Sequence, residues 1–85
     1  MTKFSIGDLL VFNRIEEANA ARNGNTISNG IIISIDKSLT SHEMTVKIWI
    51  EIRWTCYNGA CFKNRYTWHQ LEEMIDRKTM EWYPA

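Results

Sequence analysis

Metal or redox chemistry in this chain would fall to its cysteines and histidines. Cys56 and Cys61 stand in a Cys-x4-Cys spacing, and His42 and His69 would complete a set of zinc-type ligands. The spacing carries a simpler reading too. Both cysteines flank Asn58-Gly59, a dipeptide suited to a two-residue type I′ hairpin turn. Counting outward from that turn, Tyr57 faces Ala60, Cys56 faces Cys61, Thr55 faces Phe62 and Trp54 faces Lys63. Cys56 and Cys61 are then expected as two thiols packed against each other, within disulfide reach and reduced in a cytosolic setting. Metal binding ranks below this, because nothing in the sequence brings either histidine to the hairpin tip. The expectation is no cofactor and no metal.

A second chemistry is recognition. Arg53, Lys63 and Arg65 interleave with Trp54 and Tyr66, the mixture with which small domains grip single-stranded nucleic acid, rings stacking on bases and cations holding phosphates. The bland alternative is a solvated, salt-bridged face with cation-π pairs such as Trp54 over Lys63. Ten basic residues balance ten acidic ones, so no long-range field draws the chain toward nucleic acid or an anionic membrane. There is no serine-histidine-aspartate set, no evident carboxylate pair in a cleft and no glycine-rich phosphate loop, so the chain is expected to be no enzyme.

The elements that must hold these side chains follow from periodicity. Val46, Ile48, Ile50, Ile52 and Trp54 fall on one side of a strand running from about Met44 to Tyr57, and Thr45, Lys47, Trp49, Glu51 and Arg53 on the other. The isoleucine row is expected inside. Trp49 and Arg53 then face out, and continuing that face across the hairpin to Tyr57, Phe62 and Tyr66 makes an aromatic surface of the kind that receives a protein partner. Leu9 to Phe12 reads as a first strand and Ile31 to Ile35, opened by Gly30, as a second. Ile15 to Asn29 reads as a long polar loop with one helical turn through Glu16 to Ala21. Asp36 to Glu43 reads as a hairpin loop and Ala60 to Tyr66 as the fourth strand. Thr67 and Gln70 have the spacing of a capping box, opening a short helix that ends near Arg77-Lys78. Thr79 to Tyr83 alternates and supplies a last strand before Pro84.

With 85 residues, 45% of them hydrophobic and one of them proline, the chain suits one small domain over residues 1 to 85, mainly β, with about five strands and a helix near the C-terminus. Phe4-Ser5-Ile6-Gly7-Asp8-Leu9-Leu10-Val11, the Gly30 to Ile35 strand and the tryptophan-bearing third strand resemble small SH3-like barrels of the Tudor and KOW type. Such barrels occur among bacteriophage accessory proteins. The resemblance implies a closed small barrel that binds and does not catalyse, through rings near its loop tips.

The functional expectation is therefore a protein-binding module, of bacteriophage type, that docks on a host or virion protein. Its binding residues would be Trp49, Arg53, Tyr57, Phe62 and Tyr66 together with the Ile15 to Asn29 loop. A single-stranded nucleic-acid binder using Arg53, Trp54, Lys63 and Arg65 is the alternative, and self-association through the aromatic face is a variant of the first. With no apolar run of signal or membrane-span length, the expected location is the cytoplasm and no membrane partner is expected.

Overall fold

The computed structural model describes residues 3–14, 26–40 and 45–85. Its elements are β1 (Leu9–Phe12), β2 (Ile27–Thr40), β3 (Thr45–Cys56), β4 (Cys61–Thr67), α1 (Trp68–Asp76) and β5 (Met80–Tyr83). All pairings are antiparallel, in one five-stranded sheet of order β4-β3-β2-β1-β5. The chain is mainly β with a single C-terminal helix among the described residues, as its periodicity predicts. The expected barrel closure is not present, because β4 and β5 remain the two edges of the sheet. The physical reason lies at Thr67, where β4 is diverted into a helix that contacts β3, β4 and β5 and spans the gap a further ladder would have closed. No helix among the described residues is long and apolar enough to cross a membrane.

Alternation sets the inside of the sheet. Ile50, Ile52 and Trp54 are fully buried and Cys56 nearly so, joined by Ile27 and Ile32 of β2, Leu10 of β1, Leu71 of α1 and Met80 of β5. Burying a large apolar side chain of this kind is worth about 1.5–3 kcal/mol. Gly30 lies opposite Trp54 and has no side chain for a packing reason. A Cβ there would come within 2.4 Å of the indole, which stacks on Phe12 at 4.8 Å between ring centroids.

β2 is far longer than its apolar run. It begins at Ile27, inside the expected first loop, and continues through Asp36, Lys37 and Ser38, expected as a hairpin loop, to Thr40. Pairing with the long β3 overrides the weak strand preference of those polar residues. Register shifts between Ile27 and Asn29 and between Ile32 and Ser34 keep Ile27, Ile32 and Ile35 opposite the inward row of β3, while Ile31, opposite Arg53, is exposed on the outer face. The expected helical turn at Glu16 to Ala21, Met44 and the tip of the β2–β3 hairpin lie outside the described residues.

Gly7-Asp8 has a structural meaning. Gly7, at φ +98°, lets the chain turn so that its N–H reaches the Ile32 carbonyl at 2.8 Å while the Asp8 carbonyl accepts from Ile32 at 3.0 Å. The Asp8 side chain is 1% exposed and accepts from Ser5 N–H and Trp82 Nε1, both at 2.8 Å, and from Ala85 N–H at 2.9 Å. Burial pushes its carboxyl up, but the donors from Ala85, Trp82 and Ser5 outweigh this and leave it below the ordinary value. One carboxylate thus ties the start of the chain to β5 and to the C-terminus.

The capping box forms as its spacing predicts, with Gln70 N–H donating to Thr67 Oγ1 at 3.1 Å and Thr67 N–H to Gln70 Oε1 at 3.0 Å. The helix ends where Lys78 takes a left-handed φ of 62°, next to the expected terminus.

Candidate interaction surface

The β3–β4 hairpin decides which side chains share a face, and its register differs from the expected one by a single residue. Cys56 C=O accepts from Gly59 N–H at 3.0 Å, and Cys56 N–H donates to Ala60 C=O at 2.8 Å. Tyr57, Asn58 and Gly59 therefore form a three-residue loop in which only Gly59 has a positive φ, +90°. Asn58 Oδ1 accepts from Ala60 N–H at 3.0 Å instead of taking the left-handed conformation a type I′ turn requires. The pairs become Thr55 with Cys61, Trp54 with Phe62, Arg53 with Lys63 and Glu51 with Arg65.

A slip of one residue moves every β4 side chain to the other face. Phe62 and Tyr66, expected outside, lie on the inner side, half-buried against the core. Trp49 and Arg53 stay on the outer face, and Tyr57 is 76% exposed at the hairpin tip. The five residues expected to form one partner-binding surface are thus divided among three places. Trp54, expected to stack on bases, is entirely buried, and its Nε1 has no hydrogen-bond partner among the described residues. The expected Trp54 and Lys63 cation-π pair is absent. Arg65 lies over Trp49 instead, 5.1 Å from the ring centroid, while Trp49 Nε1 donates to Ser38 Oγ at 3.1 Å.

The cysteines part in the same way. Cys56 closes the buried row and Cys61 is exposed on the outer face, so they neither pack together nor share a metal ion. His42 lies outside the described residues, and no cluster of three metal-type ligands occurs among the described ones. Cys61 Sγ sits 3.7 Å from Thr55 Oγ1 and 3.8 Å from Arg53 Nη2. The Thr55 hydroxyl, then the Arg53 guanidinium, hold its thiol below the ordinary cysteine value.

Two surfaces emerge. On the outer face Arg53 stands directly opposite Lys63, with Arg65 further along β4, so three expected basic residues do come together. On the inner side, beside the start of α1, lies a groove of about 780 Å³ that sequence reasoning missed. Val46, Ile48 and Trp68 give it an apolar floor, with Lys3 and His69 also lining it and Lys47, from the outer row of β3, at its rim. Val46 is 62% exposed, although it belongs to the row that is sealed from Ile50 onward.

The groove exists because β3 outruns β4. The ladder between them stops at Trp49 and Thr67, where the capping box turns the chain into α1, leaving Thr45 to Ile48 with no β4 partner. A signal was present in the sequence: with an apex at Asn58-Gly59 and an N-cap at Thr67, the fourth strand is too short to reach the start of the third.

The chain matches no known protein family, no characterised protein and no solved structure. Fold and surfaces define it as a small open-sheet β protein with an apolar groove at a strand edge.

Proposed function

We propose that this chain is a non-catalytic protein-binding module whose partner docks in the groove between β3 and the start of α1. The observation that carries this reading is the continuation of β3's inward row, through Ile48 and Val46, into an open apolar groove beside Trp68. Exposed apolar area gathered in one concave place is what partner sites are made of. The reading moves the site away from the divided set of Trp49, Arg53, Tyr57, Phe62 and Tyr66. Asp8, the buried carboxylate among the described residues, has its oxygens taken up by three structural donors and takes no part in this site. The setting belongs to the same proposal: a bacteriophage accessory protein acting in the host cytoplasm on a host or virion protein, as the SH3-like resemblance implies.

A second reading is favoured by one feature of the outer face. Arg53 and Lys63 are like charges directly opposite each other, an arrangement that costs stability unless an anion lies between them. With Arg65 and the Trp49 ring nearby, this face suits the phosphates and a stacked base of a single strand, without Trp54.

A photo-crosslinking side chain placed at Val46 or at Arg53 in the expressing cell separates the two. Discrete protein adducts from position 46 and none from position 53 are expected. Nucleic-acid adducts at position 53 would establish the second reading in place of the first, and no adduct at either would contradict both.

A further inference from the structure

Resting on the protein-binding reading, we propose that the open edge of β3 accepts an extended segment of the partner as an added antiparallel strand, with apolar side chains in the groove and carboxylates beside Lys3 and Lys47. The backbone supplies the first argument. In an antiparallel strand, successive residues turn their N–H and C=O to opposite neighbours. Cys56 bonds toward β4 through Ala60, and Ile32, opposite Ile52, bonds instead toward β1 through Gly7 and Asp8. Both place the even-numbered residues of β3 on the β4 side. Ile50, Ile52 and Trp54 therefore bond to β4, while Val46 and Ile48 present N–H and C=O groups beyond its end. No strand among the described residues pairs with those groups, and such an edge is the template that strand addition uses.

Side chains supply the second argument. A strand added in line with β4 would lie about 4.8 Å from β3. Its inward side chains would then meet Val46, Ile48 and Trp68, the floor of the groove. Alternate apolar residues in an extended segment match this spacing.

Charge selects the occupant. Lys3 lines the groove and Lys47, in the outer row of β3, stands at its rim on the open edge, and no ion pair engages either ammonium among the described residues. The first turn of α1, which also lines the groove, carries no acidic residue to offset the positive end of the helix. Glu72 is the carboxylate on the wall, so the balance favours an acidic segment. A second copy of this chain pairing edge to edge would bring two Lys47 side chains and two Lys3 side chains to one seam, and like charges across a strand pair are unfavourable. An acidic, alternately apolar strand from another protein fits better.

The test uses the full chain and a capped short peptide alternating valine with glutamate. Amide exchange is followed residue by residue, together with affinity. Binding should slow exchange at Val46 and Ile48 and leave the outer face unchanged. The double variant Lys3→Glu, Lys47→Glu should bind about tenfold more weakly. A peptide of the same sequence, N-methylated at the backbone positions that would face β3, should lose binding. If the methylated peptide binds equally well, strand addition is overturned while the groove remains a docking site. A valine–lysine peptide binding as tightly would overturn the choice of an acidic occupant. Protection of Val46 and Ile48 that rises with protein concentration and no peptide would replace the partner strand with a second copy. Absence of binding at about millimolar peptide would sink the inference, even where position 46 still cross-links to a protein.

Discussion

The same row of β3 side chains meets two fates at its two ends. Toward the hairpin apex Ile50, Ile52, Trp54 and Cys56 are sealed beneath α1, β1 and β5, whereas toward the other end Ile48 is half-buried and Val46 stands 62% exposed. Little in the residue types separates the halves, since both are apolar, mostly β-branched, and alternate with largely polar or charged residues. What separates them is cover. β4 and the helix reach only as far as Trp49 and Thr67, so an apolar row becomes core on one side of that boundary and binding surface on the other. Periodicity therefore tells which face of a strand is apolar, and the lengths of its neighbours tell how much of that face is core.

The largest expected effect contrasts one residue from each half. Trp54→Ala removes a buried ring stacked on Phe12 and should cost about 3–5 kcal/mol, while Val46→Ala should stay within about 0.5 kcal/mol, both read by denaturant unfolding. Comparable losses would break the comparison by placing Val46 in the core.

Asp8 comes next. Asp8→Ala leaves the N–H groups of Ser5, Trp82 and Ala85 without their acceptor and should destabilise by about 2–3 kcal/mol. Its carboxyl is held below the ordinary aspartate value, so the wild-type contribution is present above that value and is lost as the pH falls through the lower folded one. Stability against pH should accordingly fall on the acid side in the wild type and flatten there in Asp8→Asn. An acid limb that is the same in both would remove Asp8 from its structural role.

Thr67→Ala strikes the boundary itself. Loss of the capping box should cost about 1 kcal/mol in thermal unfolding. Because this turn ends β4, the variant should also alter binding in the groove more than binding on the outer face, and an equal change on both would contradict the boundary.

The smallest effect concerns the two cysteines. Cys61 should be alkylated readily in the native protein and Cys56 only after unfolding, and Arg53→Ala should slow alkylation of Cys61 near neutral pH a few-fold as its thiol returns toward the ordinary value. Equal protection of both thiols would restore the register in which they face each other.

Much of the scaffold was legible from local chemistry. Leu9 to Phe12, the inward isoleucines, the Thr67 and Gln70 box and the terminal strand each carry their signal within a few residues. The site was less legible because it depends on counting between strands. Asn58-Gly59 permits a two-residue turn, but the hydrogen bonds from Gly59 to Cys56 and from Cys56 to Ala60 make it three, and that residue carried Phe62 and Tyr66 inside and Cys61 out. Barrel closure likewise depended on whether β4 continued past Thr67, which the capping residues already argued against.

Amide hydrogen exchange along β3 in the free protein tests the central claim most directly. Lys47 and Trp49 bond toward β2, and Ile50, Ile52 and Trp54 toward β4, so all five should be protected, while Val46 and Ile48, facing the open edge, should exchange rapidly. Strong protection at Val46 and Ile48 would mean that this edge is already paired, and the groove would then have no strand to receive.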